Sequence, residues 1–497
     1  MAQTSSGGQP GSGELGRAVG RSFAWGMVGQ IARRGGTLVS TLVLARLLDP
    51  ADFGLFTIAA TVMLFLHAAN DLGIGFAVVR HRGSIDDVVP TGVTTAVGFS
   101  ALVYAACFFA APDIARAFTP SDSEPAAVAV SLIRVLTITL LIDGVITIPG
   151  AVLTRQLRER ERSLAELVGF AISLVVTFSL AFNGAGAWSL VWGQLTGVAI
   201  TATILGIISP VGLMPGWSRS QARALVTFGV PLAAAGVLNQ ALLNTDYVVV
   251  NRFLGTAVAG AYFVAFNISN WPVNLISFAM RRVAVAGFAQ VQDDIAALRK
   301  GFLTSATLLF AGTLPMALLV GLQASDVLAV LYGDRWLAGA VALRFLAAVS
   351  VIRLFYQLCS DLLTATGRSA TIFAVQLAWL AALIPAMVIG ASNWGLAGIG
   401  AAHLGSSILV ALPLVLWRLA EIAPPYRQLI KDIRRPLLAG LAMAAAIIAV
   451  QVSLDTAWIR LLTGTMASAT VYALVLLPRW RLLDPLLLAR SRPSAAA

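Results

Sequence analysis

Long apolar runs separated by short polar segments fill the chain from residue 22 to residue 478. Most runs are long enough for a helix, which rises about 1.5 Å per residue, to cross about 30 Å of hydrocarbon. The period-two alternation that a membrane β-barrel requires is absent from the sequence. The pattern therefore predicts an all-α integral membrane protein with about fourteen spans. The predicted spans are 22–47, 53–79, 88–111, 126–153, 164–182, 186–208, 225–253, 258–280, 302–322, 337–364, 370–391, 395–417, 435–453 and 457–478.

The composition excludes a water-soluble globule. The 497 residues are 58% hydrophobic and 11% charged, with a mean hydropathy of +0.85, whereas a soluble domain carries about 25% charged residues. Cys107 and Cys359 fall inside apolar runs, which indicates small buried side chains rather than a disulfide. The three histidines lack the spacing of metal ligands, so neither a metal site nor a cofactor is expected.

The basic charge is a signal of membrane topology. The net charge of +11 could suggest nucleic acid. However, 24 of the 34 Lys and Arg residues lie in segments on one predicted side of the membrane, and only Arg116, Arg335 and Arg460 lie in loops on the other side. The positive-inside rule then places both termini in the cytoplasm. A nucleic-acid partner is not expected.

A weak internal repeat divides the chain into two halves. Residues 45–56 align with residues 251–262 at an offset of 206, and residues 133–136 align with residues 343–346 at an offset of 210. Each lobe would hold an even number of spans, so both would begin on the cytoplasmic side. The repeat predicts two six-helix lobes related by a pseudo-two-fold axis along the membrane normal, plus two C-terminal helices. In the first match the identical pairs are Arg46 with Arg252, Leu48 with Leu254, Ala51 with Ala257 and Gly54 with Gly260.

The predicted domain organisation follows from the spans and the repeat. The segments are a cytoplasmic tail (1–21), an N-lobe (22–208), a cytoplasmic linker (209–224), a C-lobe (225–417), a cytoplasmic loop with spans 13 and 14 (418–478) and a second cytoplasmic tail (479–497).

The N-terminal region resembles a known family. A polar first helix is followed by LARLLDPADFGLF at residues 44–56 and NDLGIGFAVVR at residues 70–80. This order is similar to the polysaccharide transporter branch of the multidrug/oligosaccharidyl-lipid/polysaccharide exporter superfamily. The resemblance implies a V-shaped, two-lobe bundle with a central cavity and alternating access. It also implies an undecaprenyl-pyrophosphate-linked repeat unit as cargo, moved from the cytoplasmic to the periplasmic leaflet.

Apart from Glu166, Arg435 and Arg460, which lie in the first turn of their spans, eleven charged residues fall inside the predicted spans, and seven of these are arginine. A charge at the bilayer centre costs about 2.5–3.5 kcal/mol or more, so such side chains face protein or a wet cavity. An arginine surplus suits an anionic head group because guanidinium binds phosphate bidentately and keeps its proton. In the alternative interpretation each arginine is neutralised by an aspartate and holds helices together. The arginines predicted to bind the head group are Arg33, Arg34, Arg134, Arg344 and Arg353.

Polar residues inside other spans suggest ion coupling and an outer gate. Carboxylates with neighbouring amides could hold a proton or a sodium ion, or could serve only as interhelical hydrogen bonds. The predicted coupling residues are Asp71, Asp143, Asn239, Gln240, Asn244 and Asp246. The residues predicted at the outer gate are Arg46, Asp49, Asp52 and Arg252, although the two arginines could instead snorkel or form salt bridges.

The sequence predicts a flippase that exports a lipid-linked oligosaccharide for exopolysaccharide, capsule or O-antigen assembly. The expected partners are the bilayer, the lipid-linked substrate, and a polysaccharide polymerase and glycosyltransferases of the same pathway. One alternative is a cation-coupled multidrug exporter, which the arginine surplus disfavours. An enzyme such as a membrane polymerase or ligase is disfavoured because the predicted outer loops hold three arginines and no histidine. A non-transporting scaffold is disfavoured only by the paired lobes.

Overall fold

A computed structural model describes residues 12–70, 74–75, 78, 85–119, 124–212, 214–290, 294–366, 368–420 and 426–476, and these residues form helices without any strand. The first eight helices are α1 (Ser12–Leu47), α2 (Pro50–Asn70), α3 (Ile85–Phe118), α4 (Glu124–Leu136), α5 (Ile138–Arg155), α6 (Glu159–Phe182), α7 (Ala187–Ile208) and α8 (Arg219–Leu254). The remaining helices are α9 (Thr256–Gln290), α10 (Ile295–Leu322), α11 (Ala324–Leu331), a 3₁₀ turn (Asp334–Gly339), α12 (Ala340–Ala365), α13 (Ser369–Ser406), a π turn (Ser407–Ala411), α14 (Leu412–Leu419), α15 (Tyr426–Ser453) and α16 (Ala457–Leu476).

Ten helical segments of the described chain are long and apolar enough to cross a membrane. They contain eleven of the predicted spans, because the segment Ala370–Leu419 covers two of them. The other three predicted spans correspond to α1, α8 and α9, which have 36, 36 and 35 residues and are long enough by geometry. The helical membrane class is confirmed, and the count of fourteen stays a prediction.

A break at Gly395 separates two of the predicted spans. Gly395 has φ 59° and ψ −136°, a conformation that L-residues rarely adopt, and it interrupts α13. On either side of the break, Gly390 and Gly398 approach so closely that a Cβ atom on either would overlap the backbone of the other. The chain therefore reverses near the point where the sequence predicts the end of one span and the start of the next.

The chain divides into two compact units, residues 1–260 and 261–497. In the first unit a large apolar core is built from α2, α3, α4, α5 and α7. Its fully buried members include Ile58, Ala111, Leu132, Leu136 and Val191. Helix α8 packs against α2 and α3 within this same unit. The predicted domain boundaries stay predictions.

A seam of small residues joins α6 to α7. Positions 169, 173 and 177 on α6 face positions 193, 197 and 201 on α7, and all six are Gly, Ser or Thr at a spacing of four. A Cβ atom on Gly169 or Gly193 would overlap a threonine hydroxyl of the facing helix. Small residues at this spacing let backbones approach closely inside a bilayer, where apolar burial alone does not drive association. The seam fixes α6 and α7 as one wall of the first unit.

The second unit has its own core around α10, α12 and α13. Trp336 in the 3₁₀ turn is fully buried, and its ring centroid lies 6.4 Å from that of Tyr332. Helix α16 is fastened to the start of α11 because Arg460 donates to the buried carboxylate of Asp326 at 2.6 Å. The C-terminal helices α15 and α16 thus pack with this unit.

The turn between α1 and α2 is fixed by Asp49 and Asp52. The Asp49 backbone N–H donates to Asp52 Oδ2 at 3.2 Å, and Pro50 opens the helix, an arrangement typical of a helix N-terminus. The second oxygen, Asp52 Oδ1, accepts the Ala187 N–H at 3.1 Å at the start of α7. One carboxylate therefore holds the N-termini of two helices, where the helix dipoles favour negative charge.

The first turns of α2 and α9 cross at two glycines. A Cβ atom on Gly54 would overlap the Thr256 carbonyl, and a Cβ atom on Gly260 would overlap the Pro50 carbonyl. The two helices begin at Pro50 and Thr256, which are 206 positions apart, and this is the offset of the first repeat match. The aligned glycines are therefore the residues at which these two helices touch.

Alanine at this crossing should destabilise the protein. We expect Gly54→Ala and Gly260→Ala each to cost about 1–3 kcal/mol, because the new Cβ atom meets a backbone carbonyl that cannot move alone. Gly98→Ala is the matched control, since a Cβ atom there meets nothing within 4 Å, and alanine favours a helix by about 1 kcal/mol over glycine. The measurement is the apparent Tm of the purified protein in detergent. Equal Tm values for Gly54→Ala and Gly98→Ala would contradict the described crossing.

Candidate functional site

A cavity of about 940 Å³ lies inside the first unit. Helices α2 and α7 contribute residues from their C-terminal halves, and α5 contributes residues from Asp143 to Thr154. Helices α3 and α6 contribute residues from their N-terminal halves, and α8 contributes residues from its middle. The cavity therefore lies toward one end of the unit. Its polar lining consists of His67, Asn70, Ser100, Asp143, Thr147, Thr154, Arg162, Glu166, Thr201, Asn239 and Gln240.

Helix α1 packs closely along α6 beside this cavity. A Cβ atom on Gly29 would lie 3.1 Å from the Ser163 side chain, and a Cβ atom on Gly36 would lie 2.5 Å from the Phe170 ring. The two glycines flank Arg33 on one face of α1, at the i, i+4 and i+7 positions. The close approach therefore brings the Arg33 guanidinium onto α6.

Two arginines meet at one carboxylate where α1 reaches α6. Arg33 Nη2 lies 3.0 Å from Glu166 Oε2, and Arg162 Nε donates to Glu166 Oε1 at 3.1 Å. The arginine side chains are each 38% exposed and Glu166 is 21% exposed, so solvent reaches all three groups. Each oxygen of Glu166 thus holds a different guanidinium.

Arg162 has further partners on its other side. Its Nη1 donates to Thr154 Oγ1 at 2.8 Å and lies 3.5 Å from Glu159 Oε1. The Thr154 hydroxyl in turn donates to Glu159 Oε1 at 2.8 Å. Three groups therefore fix the Arg162 guanidinium at the cavity wall, so that its position does not depend on Glu166 alone.

A tight turn between α5 and α6 brings these groups together. Leu157 has φ 58°, and the Arg158 N–H donates to the Leu153 carbonyl at 2.9 Å, which closes the end of α5. Arg158 and Glu161 then form a local ion pair on the surface side of the new helix. The turn allows Thr154 at the end of α5 to meet Arg162 one turn into α6.

Polar side chains near the end of α2 bind the neighbouring helices. His67 Nε2 lies 3.3 Å from Asp143 Oδ2 on α5, although the two atoms do not form a hydrogen bond. One turn later, Asn70 Nδ2 donates to Ser100 Oγ on α3 at 2.9 Å. Gly144 allows this contact, since a Cβ atom there would lie 2.5 Å from Ser100 Oγ. A histidine and a carboxylate therefore stand together at the cavity wall.

Three of the five arginines predicted to bind the head group lie in the first unit, and Arg344 and Arg353 lie in the second. Arg33 is the member that reaches a cavity-lining residue, and Arg34 is exposed next to it on α1. Arg134 donates to the Phe108 carbonyl at 3.1 Å and stacks on the Phe108 ring. In the second unit Arg344 donates to Ser325 at 3.1 Å, and the Arg353 guanidinium lies 5.9 Å from the centre of the Phe266 ring.

The predicted coupling residues divide into two groups. Asn244 donates to the Gln240 carbonyl at 3.1 Å, and the buried Asp246 accepts the Tyr247 N–H at 3.0 Å, and both of these hydrogen bonds lie within helix α8. Asp71 lies outside the described residues. Three members line the cavity, namely Asp143, Asn239 and Gln240.

The predicted gate residues lie at the α1–α2 and α8–α9 turns. Asp49 and Asp52 form the double cap described above, and Arg46 is exposed one turn earlier. Arg252 reaches the end of α3, where its Nη1 donates to the Thr119 carbonyl at 2.9 Å. Asp49, Asp52 and Arg252 thus make hydrogen bonds that hold helices together at this end of the first unit.

Sequence reasoning missed His67, Arg162 and Glu166. The prediction placed Arg162 in a loop and began the span at residue 164, whereas α6 begins at Glu159. The signal was present, because Glu159, Arg162 and Glu166 recur at spacings of three and four, which places them on one helix face. His67 was set aside for lack of ligand spacing, yet its partner is a carboxylate on another helix.

Comparisons with known proteins agree with this architecture. Residues 43–341 match the sequence pattern of the family described as "Polysaccharide biosynthesis protein". Among curated proteins, the chain is 24% identical to the lipopolysaccharide biosynthesis protein WzxC of Escherichia coli K12, over 84% of each chain. It is also 24% identical to the succinoglycan biosynthesis transport protein ExoT of Rhizobium meliloti strain 1021, over 97% of each chain.

The fold also matches a solved structure. The lipid II flippase MurJ, in an inward closed conformation, aligns with a TM-score of 0.77 over 92% of this chain and 99% of that chain, at 14% sequence identity. At this identity the likeness concerns the fold, and it confirms the predicted helical membrane bundle. The resemblance found at residues 44–80 is confirmed as well, since the family match covers more than half of the sequence. The chain belongs to the polysaccharide biosynthesis protein family.

Proposed function

We propose that the chain is a flippase that moves a lipid-linked oligosaccharide, carried on polyprenyl pyrophosphate, across the bacterial inner membrane. The product would serve exopolysaccharide, capsule or O-antigen biosynthesis. Family membership and the transport function in the name of ExoT support this assignment. The observation that carries it is the polar cavity of the first unit, with Arg33 and Arg162 converging at its edge.

The chemistry of the cavity suits a phosphate-bearing sugar. Its volume lies within the range of about 300–1,000 Å³ that is usual for small-ligand sites. Guanidinium groups bind phosphate oxygens in pairs, and the amides of Asn239 and Gln240 can hydrogen-bond sugar hydroxyls. The polyprenyl tail would stay in the bilayer, because lipid hydrocarbon is already as apolar as any protein surface that the tail could contact.

The charge distribution supports loading from the cytoplasm. If both termini are cytoplasmic, as the basic loops predict, α2, α5 and α7 run toward that side and α6 begins there. The cavity then lies in the cytoplasmic half of the first unit. Alternating access of the two predicted lobes would carry the head group outward.

The remaining predicted residues have proposed roles in other steps. Arg34, Arg134, Arg344 and Arg353 would meet the head group in conformations other than the one described. The outer gate would be formed by Arg46, Asp49, Asp52 and Arg252. The contact of Asp52 with α7 supports this role, since separating α2 from α7 would leave the Ala187 N–H at the N-terminus of α7 without its carboxylate.

A polysaccharide polymerase and glycosyltransferases of the same pathway are the proposed partners. A flippase needs a supply of lipid-linked repeat units on one side and an enzyme that consumes them on the other. The chain itself would carry no catalytic step.

One observation favours a second candidate, a cation-coupled multidrug exporter. Among the described residues, the cavity lining contains two carboxylates, Asp143 and Glu166, and one arginine, Arg162. An acidic lining suits cationic drugs. The polysaccharide function is preferred because Glu166 is already neutralised by two guanidinium groups, and because the family points to polysaccharide.

Removal of either cavity arginine should abolish export. In a strain that lacks the gene, we expect Arg33→Ala and Arg162→Ala to restore at most about one tenth of the surface polysaccharide that the unaltered chain restores, with unchanged amounts of protein in the membrane. Loss of one charge-assisted contact to phosphate costs about 1.5–3 kcal/mol, which is tenfold or more. Arg116→Ala is the control, since its pair with Asp113 is exposed. Full restoration by both cavity variants would refute the role of the cavity in head-group binding.

Asp143 should couple transport to an ion. We expect Asp143→Asn to make export by proteoliposomes insensitive to imposed proton or sodium gradients, because the amide cannot take up a proton or neutralise a cation. The exposed Asp113→Asn should keep the response of the unaltered protein. Ion coupling is excluded if the unaltered protein shows no gradient response, and Asp143 is excluded if its variant keeps one.

The rival function makes an opposite prediction. Expression of the chain in a drug-sensitive host should leave the minimum inhibitory concentrations of cationic drugs within about twofold of the empty vector, because Glu166 is already neutralised by two guanidinium groups. A rise of fourfold or more that disappears in Asp143→Asn would favour the multidrug exporter.

A further inference from the structure

We infer that Glu166 is an internal competitor of the substrate, which occupies the arginines of the empty cavity until a pyrophosphate group displaces it. The inference rests on the proposed function and adds a residue and an exchange step to it. Glu166 holds Arg33 through one oxygen at 3.0 Å and Arg162 through the other at 3.1 Å. Arg33 and Arg162 therefore share the carboxylate of Glu166.

Replacement of Glu166 by a pyrophosphate group is favoured by the larger negative charge of pyrophosphate and by its larger number of hydrogen-bond acceptors. Glu166 offers two oxygens and one negative charge, whereas a pyrophosphate linkage offers more oxygens and about two negative charges. Each guanidinium can bind phosphate bidentately, whereas the two oxygens of Glu166 are divided between two guanidinium groups. The displaced carboxylate lies at a partly exposed site, where water can solvate it and an ion pair contributes little.

The surroundings hold Arg162 in place while Glu166 leaves. Thr154 and Glu159 contact the Nη1 side of its guanidinium, and these contacts do not involve Glu166. Arg162 would therefore stay at the cavity wall as a preformed half of the anion site. Preformed groups bind without the cost of ordering a flexible side chain.

Arg33 is the half of the site that moves between partners. Its ion pair with Glu166 joins α1 to α6, between the close contacts of Gly29 and Gly36. When a phosphate replaces Glu166, the same guanidinium joins α1 to the substrate instead. Loading would thus exchange a contact between two helices for a contact with the cargo.

Substitution of Glu166 should change the affinity for pyrophosphate in opposite directions, depending on whether Glu166 competes with the substrate or only pairs two helices. If Glu166 only holds α1 against α6, then Glu166→Gln removes a contact between the two helices. The variant protein would then bind pyrophosphate no more tightly than the unaltered chain. If Glu166 competes with the substrate, the same change frees two cations and tightens binding. The sign of the affinity change therefore separates the two roles.

The test is a titration of the purified full-length protein in detergent with inorganic pyrophosphate and, separately, with farnesyl pyrophosphate. We expect Glu166→Gln to lower Kd about three- to tenfold with both probes, and Arg33→Gln to raise it at least tenfold. Glu161→Gln is the matched control, since it removes a carboxylate of the same helix that pairs with Arg158 on the surface, and its Kd should be unchanged. An unchanged or higher Kd in Glu166→Gln overturns the inference.

A second variant of Glu166 provides an independent test in case Glu166→Gln does not fold. Glu166→Asp keeps the charge but is one methylene shorter, so it cannot reach both guanidinium groups, and we expect a smaller decrease in Kd in the same direction. The outcomes also distinguish the inference from the proposed function. If the unaltered chain binds pyrophosphate tightly through Arg33 but neither Glu166 variant has a lower Kd, then the inference is wrong and the proposed function stands. No pyrophosphate binding by the unaltered chain and both Glu166 variants defeats the head-group proposal as well.

Discussion

Two guanidinium groups from different helices share the carboxylate of Glu166 at the edge of a cavity. A charge inside a membrane protein must be paired or hydrated, because its transfer into hydrocarbon costs several kcal/mol. The chain meets this constraint by placing the cations of α1 and α6 against one anion in a partly solvated position. The same constraint suits the site to substrate binding, since a guanidinium group that must be neutralised can be neutralised by the phosphate of the substrate.

Close packing of small residues makes that pairing possible. The seam between α6 and α7 sets one wall of the cavity, and the glycines of α1 that flank Arg33 bring its backbone onto α6. In water apolar burial would draw these helices together, but in a bilayer packing and polar contacts do most of that work. The packing of Gly, Ser and Thr thus determines where the arginine lies, and the arginine determines what the cavity can bind.

Much of the fold could be predicted from hydropathy, because a helix must satisfy its own backbone in lipid. The start of α2 at Pro50 and the break near Gly395 fall where turn residues interrupt the apolar pattern. The site was predicted only in part. Asp143, Asn239 and Gln240 stood out as polar residues within spans, and they do line the cavity. Arg162 was missed because counting charges by loop assigns it to a side of the membrane, and Glu166 was missed because it lies in the first turn of the predicted span 164–182. The role of both residues depends on which helix α6 faces.

The central claim is that this chain moves a lipid-linked oligosaccharide between leaflets, and the most direct measurement follows one such molecule. The purified protein would be reconstituted in liposomes that carry a fluorescent polyprenyl-pyrophosphate oligosaccharide, with a membrane-impermeant quencher added outside. The account predicts that dye in the inner leaflet becomes accessible to the quencher much faster than in protein-free liposomes, and that a phosphatidylcholine with the same dye does not. Equal rates with and without the protein, or equal movement of both lipids, would contradict it.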